Sequence, residues 1–304
     1  MKKWLFRVLG ILFGLILVSI VTLHVHSLLQ NRRLDQTFEG SPIESVDFVE
    51  LEGLSVAYRR AGTTNSPTLV FVHGFLGSSF DFRLLLDAFA DDFDLVAIDM
   101  IGFGHSDKPD TFPYTADAHA EVIVEVLEVL NIDSFHLVGH SMGARVALYM
   151  SHARPDAVVS LTLLAPAGVD RESEGRALPR WFYTIVFRNY ALQRLGFQSA
   201  VAGNVDRDVF DALYYFSRTI PAETLQAMGQ AQETIDWDEI IEGIEQPTLI
   251  IVGAEDSWTP PSISESYVTR IQEASLHIVD DVGHLPMLED AASVVEIMNA
   301  FLDD

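Results

Sequence analysis

Six short, uninterrupted apolar runs separated by stretches of helical spacing constrain this chain more than any other feature. They are Thr68 to Val72, Leu95 to Ile98, Phe135 to Val138, Val158 to Leu164, Thr248 to Val252 and Leu276 to Val279. A run with no polar alternation predicts a strand buried on both faces. Helical spacing lies between several of them: Tyr114 to Leu130 sets Val122, Val126, Val129 and Leu130 on one face, and Ala144 to His152 follows the third run. Strands alternating with helices predict an α/β fold, a mostly parallel sheet with helices on both faces. Two alternating segments, Val46 to Leu51 and Leu54 to Arg60, flank Glu52-Gly53 and read as an opening hairpin. The pattern lapses between Gly168 and Gln246, where aromatic-rich helical pieces replace buried strands. A structureless loop of that length is uncommon, so residues 169–246 are expected to be a helical cap inserted into a body spanning 45–304.

The first thirty residues are of a different material. No charge interrupts Val8 to Leu23, and the apolar character resumes at Val25, Leu28 and Leu29 past His24 and His26. At about 1.5 Å per residue this stretch is long enough to cross a bilayer, so residues 1–30 are expected to form an N-terminal transmembrane helix. A cleaved signal peptide is the alternative, with only Val25-His26-Ser27 as a weak cleavage site. Lys2, Lys3 and Arg7 precede the run and Arg32 and Arg33 follow it, a bias that places the body outside the cytoplasm, in the periplasm if the cell is bacterial. Residues 31–44 read as a polar linker.

Composition removes whole classes of function. The chain has 304 residues and a formal charge of −25, from 19 Lys and Arg against 44 Asp and Glu. Five of those basic residues and only one acid, Asp35, lie in the first 35 positions, so the body is more acidic than the average implies. Such a surface repels phosphate backbones, and nucleic acid is excluded as a partner. With no cysteine there are no disulfides, thiolate metal sites or cysteine nucleophiles. No histidine pair has i, i+4 spacing with a carboxylate on a plausible helix face, so no metal site is expected.

Gly139-His140-Ser141-Met142-Gly143 stands directly between the third strand and a helix. A glycine-rich turn alone would explain those residues. In this context the pattern G-x-S-x-G also sets a serine on a sharp strand-to-helix turn, its hydroxyl exposed and the helix dipole aimed at a developing negative charge. At these residues the chain resembles the α/β-hydrolase superfamily, from about Val46 to Phe301. The resemblance implies Ser141 as nucleophile, Asp256 in Gly253-Ala254-Glu255-Asp256 as orienting acid and His284 in Val282-Gly283-His284-Leu285-Pro286 as general base. Asp170, beyond the fourth run, is a competing acid, and Glu255 is expected to point elsewhere. His73-Gly74-Phe75 resembles the family's oxyanion segment, with the backbone N–H groups of Phe75 and Met142 as the oxyanion hole, His73 in a structural role, and Gly74, Gly139 and Gly143 permitting close approach.

A serine at the elbow argues against the relatives that cleave carbon–halogen bonds or epoxides, which carry Asp there. The resemblance extends to membrane-anchored monoacylglycerol lipases and related bacterial lipases and esterases, and implies cofactor-free hydrolysis of acylglycerols or similar carboxylic esters through an acyl-enzyme. The elbow continues Gly143-Ala144 where many lipases have two glycines. Carbon–carbon bond hydrolysis and acyl transfer use the same three groups and remain open, as does a non-catalytic scaffold on this fold. Asp99-x-x-Gly102-x-Gly104-x-Ser106 lacks dinucleotide spacing and reads as a turn. Trp181, Phe182, Tyr183, Ile185, Val186 and Phe187, preceded by Arg176 and Arg180, are either cap packing or a surface for lipid or acyl chains.

Overall fold

The computed structural model describes residues 2–41, 45–64, 66–169, 178–203 and 206–303, with the backbone alone for residues 2–17 and 20. One eight-stranded sheet organises the body. Its strands are β1 (Asp47–Leu51), β2 (Leu54–Gly62), β3 (Thr68–Val72), β4 (Asp94–Ile98), β5 (Phe135–His140), β6 (Val158–Leu164), β7 (Thr248–Gly253) and β8 (Ala274–Val279), ordered β1-β2-β4-β3-β5-β6-β7-β8. The β1/β2 hairpin and the β2/β4 pair are antiparallel, and every later pairing is parallel. The chain winds from β3 outward to β4, then back past β3 to β5. The carboxyl ends of β3 and β5 therefore flank the point where strand order reverses, the place where open α/β sheets bind ligands.

The apolar runs divide their side chains between two cores. Val70 and Val72 of β3 face one side with Val96 and Ile98 of β4, while Leu69 and Phe71 face the other with Leu95 and Ala97. The first layer holds α3 (Ala116–Val129), α4 (Met142–Ala153), α9 (Trp237–Glu242) and α10 (Pro261–Val268). The second holds α2 (Arg83–Phe89) and α12 (Ala291–Leu302), the latter preceded by the short α11 (Pro286–Glu289). Two expectations change. Leu276 to Val279 is not buried on both faces, because β8 is the sheet edge and leaves Ile278 45% exposed. On α3 the buried face runs through Ala116, His119, Ala120, Ile123, Val126 and Leu127, and Val129 points to solvent in the last turn of the helix.

Between β6 and β7 stand α5 (Arg180–Phe187), α6 (Tyr190–Gln198), α7 (Arg207–Ser217), α8 (Ala222–Gln230) and α9. Residues 170–177, which include Asp170 and Arg176, lie outside the described residues. Of the aromatic cluster, Tyr183 is buried, whereas Trp181 and Ile185 are exposed.

The N-terminal helix α1 runs unbroken from Lys2 to Phe38, so the stretch read as a polar linker from residue 31 is helical over most of its length. Its polar residues have partners on the cap: Arg33 pairs with Asp211 and Asp35 with Arg218. Leu34 is fully buried, and Phe38, one turn on, meets Tyr215 ring to ring at 5.1 Å. Helical i, i+4 spacing of Leu34 and Phe38 supplies an apolar stripe that composition averaging hides. Among the described residues no helix is long and apolar enough to cross a membrane. Most of the uncharged run Val8 to Leu23 lies where only the backbone is described.

Candidate active site

Ser141 occupies the turn between β5 and α4 with φ 50° and ψ −115°, a backbone conformation that costs a residue with a Cβ about 1–3 kcal/mol. Surrounding bonds hold it there: Ser141 N–H donates to the Leu164 carbonyl at 3.0 Å, and its carbonyl accepts from Ala144 N–H at 3.0 Å and Ala167 N–H at 3.1 Å. The glycines of the motif are required by crowding. A Cβ on Gly139 would sit 2.6 Å from the Gly143 carbonyl oxygen, and one on Gly143 would fall onto the carbonyls of Val72 and His73. Both of the latter contacts are backbone and cannot rotate away. Gly143→Ala is therefore expected to lower stability by about 1–3 kcal/mol or prevent folding, read as a fall in the midpoint of denaturant unfolding.

His284 stands after β8, buried, and joins the other two predicted residues. Its Nε2 lies 3.0 Å from Ser141 Oγ and its Nδ1 lies 2.8 Å from Asp256 Oδ2. A carboxylate at Nδ1 makes that nitrogen the N–H donor and leaves the Nε2 lone pair facing the serine. Asp256, after β7, is also buried; its Oδ1 accepts from the N–H groups of Trp258 (2.8 Å) and Thr259 (2.9 Å). Burial by itself would raise the Asp256 carboxyl, but the hydrogen bond and charge of His284 and the Thr259 bonds outweigh it and hold the group below its ordinary value. Glu255 is exposed, as expected of its neighbour.

The loop after β3 closes the other side. Gly74 lies so near the elbow that a Cβ there would be 2.8 Å from His140 Nδ1 and 3.0 Å from Ser141 Cβ. Met142 is the first residue of α4, so its N–H has no intrahelical acceptor, and the Phe75 N–H takes no backbone acceptor among the described residues. The Phe75 ring is 44% exposed and edges onto Phe103 and Phe187. His73 is fully buried and fixes the loop: its Nδ1 donates to the Gly74 carbonyl at 2.8 Å and its Nε2 accepts the Met100 N–H at 3.0 Å. Burial lowers its pKa, so it remains a neutral structural linker. Asp99 organises the neighbouring turn by accepting the N–H groups of Ser79 and His105.

Four residues that the sequence reading passed over contribute to this geometry. Thr259 Oγ1 lies 2.7 Å from Asp256 Oδ2 and 3.1 Å from His284 Nδ1, and Trp258 places its ring 5.3 Å from the imidazole. His140, the variable residue of the elbow, donates from Nε2 to the His284 carbonyl at 2.8 Å. Burial holds it neutral, with a pKa down at about 3. Glu289 ends the short α11, which begins at Pro286, and its carboxylate accepts the N–H groups of Gly283, Leu285 and Ala202 at 2.8–2.9 Å. That carboxylate ties the histidine loop to the cap, as does the 2.6 Å bond from His284 N–H to the Ala200 carbonyl. The contacts of Thr259 with His284, of His140 with His284 and of Glu289 with Ala202 join segments 25 to 144 residues apart and have no local sequence signature.

A cavity of about 120 Å³ opens onto Ser141 and His284, lined by Gly74 to Gly77, Asp81, Phe197, Ala200, Leu213, Trp258 and Leu285. Fold and site together define the class. Residues 67–291 match the α/β-hydrolase fold family, and the chain belongs to it. It is 30% identical to a 2-hydroxymuconate semialdehyde hydrolase of Pseudomonas sp. (strain CF600) over 230 residues, 73% of this chain and 81% of that one. It is 26% identical to Lipase 3 of Moraxella sp. (strain TA144), covering 86% of each. Among solved structures it superposes on a membrane phospholipase A described as a bacterial virulence factor, with a TM-score of 0.76, 24% identity and coverage of 100% and 98%.

Proposed function

We propose that this chain is a serine hydrolase that cleaves carboxylic esters of lipid-like character, acylglycerols or similar, through an acyl-enzyme. The observation that carries the reading is the single imidazole that reaches Ser141 Oγ on one side and Asp256 on the other. His284 Nε2 takes the hydroxyl proton as Oγ attacks the ester carbonyl, and the imidazolium so formed is stabilised by Asp256. The oxyanion is received by the N–H groups of Phe75 and Met142, each worth on the order of 3 kcal/mol. Nε2–H then protonates the departing alcohol, and the same nitrogen activates water against the acyl-enzyme. No step calls for a cofactor. The relative named for 2-hydroxymuconate semialdehyde keeps carbon–carbon bond hydrolysis as a second reading, and acyl transfer to another acceptor would begin from the same acyl-enzyme. Treatment with a fluorophosphonate, followed by mass spectrometry, is expected to find one adduct, on Ser141; an unlabelled Ser141 in folded protein would overturn the mechanism. A chain-length series of p-nitrophenyl esters and monoacylglycerols, run beside a ring-cleavage product, separates the ester reading from the carbon–carbon one.

The same proposal places α1 in a membrane, with the body outside the cytoplasm. What supports it is the uncharged run Val8 to Leu23, the basic residues before it, and a line of exposed apolar residues, Val18, Val21, Val25, Leu28 and Leu29. Leu195 on the cap, next to α1 in the fold, is 71% exposed. The full chain is expected in the membrane fraction, and a chain beginning at Val25, which keeps Ser27, Arg33 and Leu34, in the soluble one. Recovery of both in the soluble fraction would refute the anchor.

A further inference from the structure

One acidic side chain in the cavity is not used by the three-residue machinery. Asp81 lies on a 3-10 turn, Ser79–Phe82, just beyond the oxyanion loop, and is 3% exposed. It lines the same cavity as Ser141 and His284, among Phe75, Leu76, Phe197 and Leu213. One carboxyl oxygen, Oδ2, accepts the Ser78 N–H at 3.1 Å; the other has no hydrogen-bond partner among the described residues. That bond is the N3 half of a capping box with Ser78, which requires a single acceptor oxygen. Burying a carboxyl in an apolar cavity with one oxygen open is a cost that local capping does not explain.

We propose that Asp81 is the polar recognition point of the substrate cavity, hydrogen-bonding a hydroxyl that the ester carries within two or three carbons of its scissile carbonyl. The inference rests on the ester-hydrolase reading and names the substrate class within it: hydroxyl-bearing esters, such as a glycerol monoester or a hydroxyacyl ester. A hydroxyl both donates and accepts, and so does a protonated carboxyl. The surroundings favour that form near neutrality. Burial pushes Asp81 up to about 7, and the Ser78 N–H, Arg83 and Arg59 pull down while Asp99 pushes further up. Both arginines lie over the Phe80 ring, at 4.7 and 5.2 Å from its centroid. On the β3 side His73 is held by backbone groups, and on α11 Glu289 is occupied by three N–H donors. His140 and His284 complete the ionisable lining of the cavity.

Two matched pairs of esters test this, 2-hydroxyethyl butyrate against propyl butyrate and ethyl 3-hydroxybutyrate against ethyl 3-methylbutyrate. The full-length enzyme is expected to prefer the hydroxyl member of at least one pair by about tenfold in kcat/KM, chiefly through KM. Asp81→Ala should bring that ratio to within about twofold. Asp81→Asn keeps a donor and an acceptor but cannot ionise: it should retain a preference, and that preference should be flat between about pH 6 and 8, where the wild-type ratio changes. Equal ratios in wild type and Asp81→Ala, or the same pH profile in wild type and Asp81→Asn, would overturn the proposal and leave the hydrolase reading intact. Absence of Ser141-dependent turnover of all four esters in the wild type would overturn both. Unfolding midpoints of the two variants separate loss of recognition from loss of fold.

Discussion

Ser141→Ala is expected to lower kcat for p-nitrophenyl butyrate by about 10⁴-fold or more while leaving the fold intact. The hydroxyl oxygen is the atom that forms the covalent bond, and among the described residues no other hydroxyl stands within hydrogen-bond reach of His284 Nε2, since Thr259 approaches Nδ1 instead. Alanine also fits the elbow sterically, because the crowding there falls on Gly139 and Gly143 and not on the Ser141 side chain. Its unfolding midpoint should therefore match the wild type, and residual turnover should come from binding and the oxyanion N–H groups alone. Wild-type kcat in this variant would exclude Ser141 as the nucleophile.

Asp256→Asn is expected to cost nearly as much, about 10³- to 10⁴-fold in kcat, for a different reason. An amide oriented to keep the Trp258 and Thr259 N–H bonds on its oxygen presents NH₂ to His284 Nδ1, which must then give up its proton to Nε2. The imidazole then faces Ser141 with a donor where a base is needed. Asp170→Asn is the comparison that matters, since the sequence leaves both acids open; a large loss confined to Asp170→Asn would reassign the acid. Glu255→Gln, at an exposed position, should leave the rate unchanged. The pH dependence of stability follows from the lowered Asp256 pKa. A carboxyl with a depressed folded value contributes stability that is present above its unfolded value of about 3.9 and is lost as pH falls through the folded value. The stability difference between wild type and Asp256→Asn should accordingly shrink on acidification below about pH 4, read from unfolding midpoints.

Local pattern was enough to locate the strands and the elbow, while Asp256 and His284 came from the family resemblance, with Asp170 left open as a competing acid. Leu69 to Val72 had to be a strand buried on both faces because four consecutive apolar side chains alternate into two different cores. Gly139 had to be glycine because the strand and helix it joins leave no space for a Cβ. Such features depend on neighbours in sequence and on the strand period of two, so they are visible without coordinates. The same reasoning misjudged Val129 and Ile278, whose exposure depends on where an element ends and on which strand lies at the sheet edge. It also read residues 31–44 as a polar linker, although α1 continues to Phe38, because Arg33 and Asp35 find their partners some 180 residues away.

By itself, the sequence determined an acidic α/β body with a serine elbow and an apolar N-terminal run, and its family resemblance added a histidine and two candidate acids. Only the tertiary structure decided that Thr259 and Trp258 flank the imidazole, that Glu289 ties its loop to the cap, and that Asp81 lines the cavity with one oxygen unbonded among the described residues. The physical reason is range. Secondary structure and tight turns are set by interactions over a few residues, which leave a periodic mark. The polar contacts that shape a substrate cavity are made by side chains from separate strands and helices, and their pairing exists only once the sheet has brought the carboxyl ends of β3, β5, β7 and β8 together.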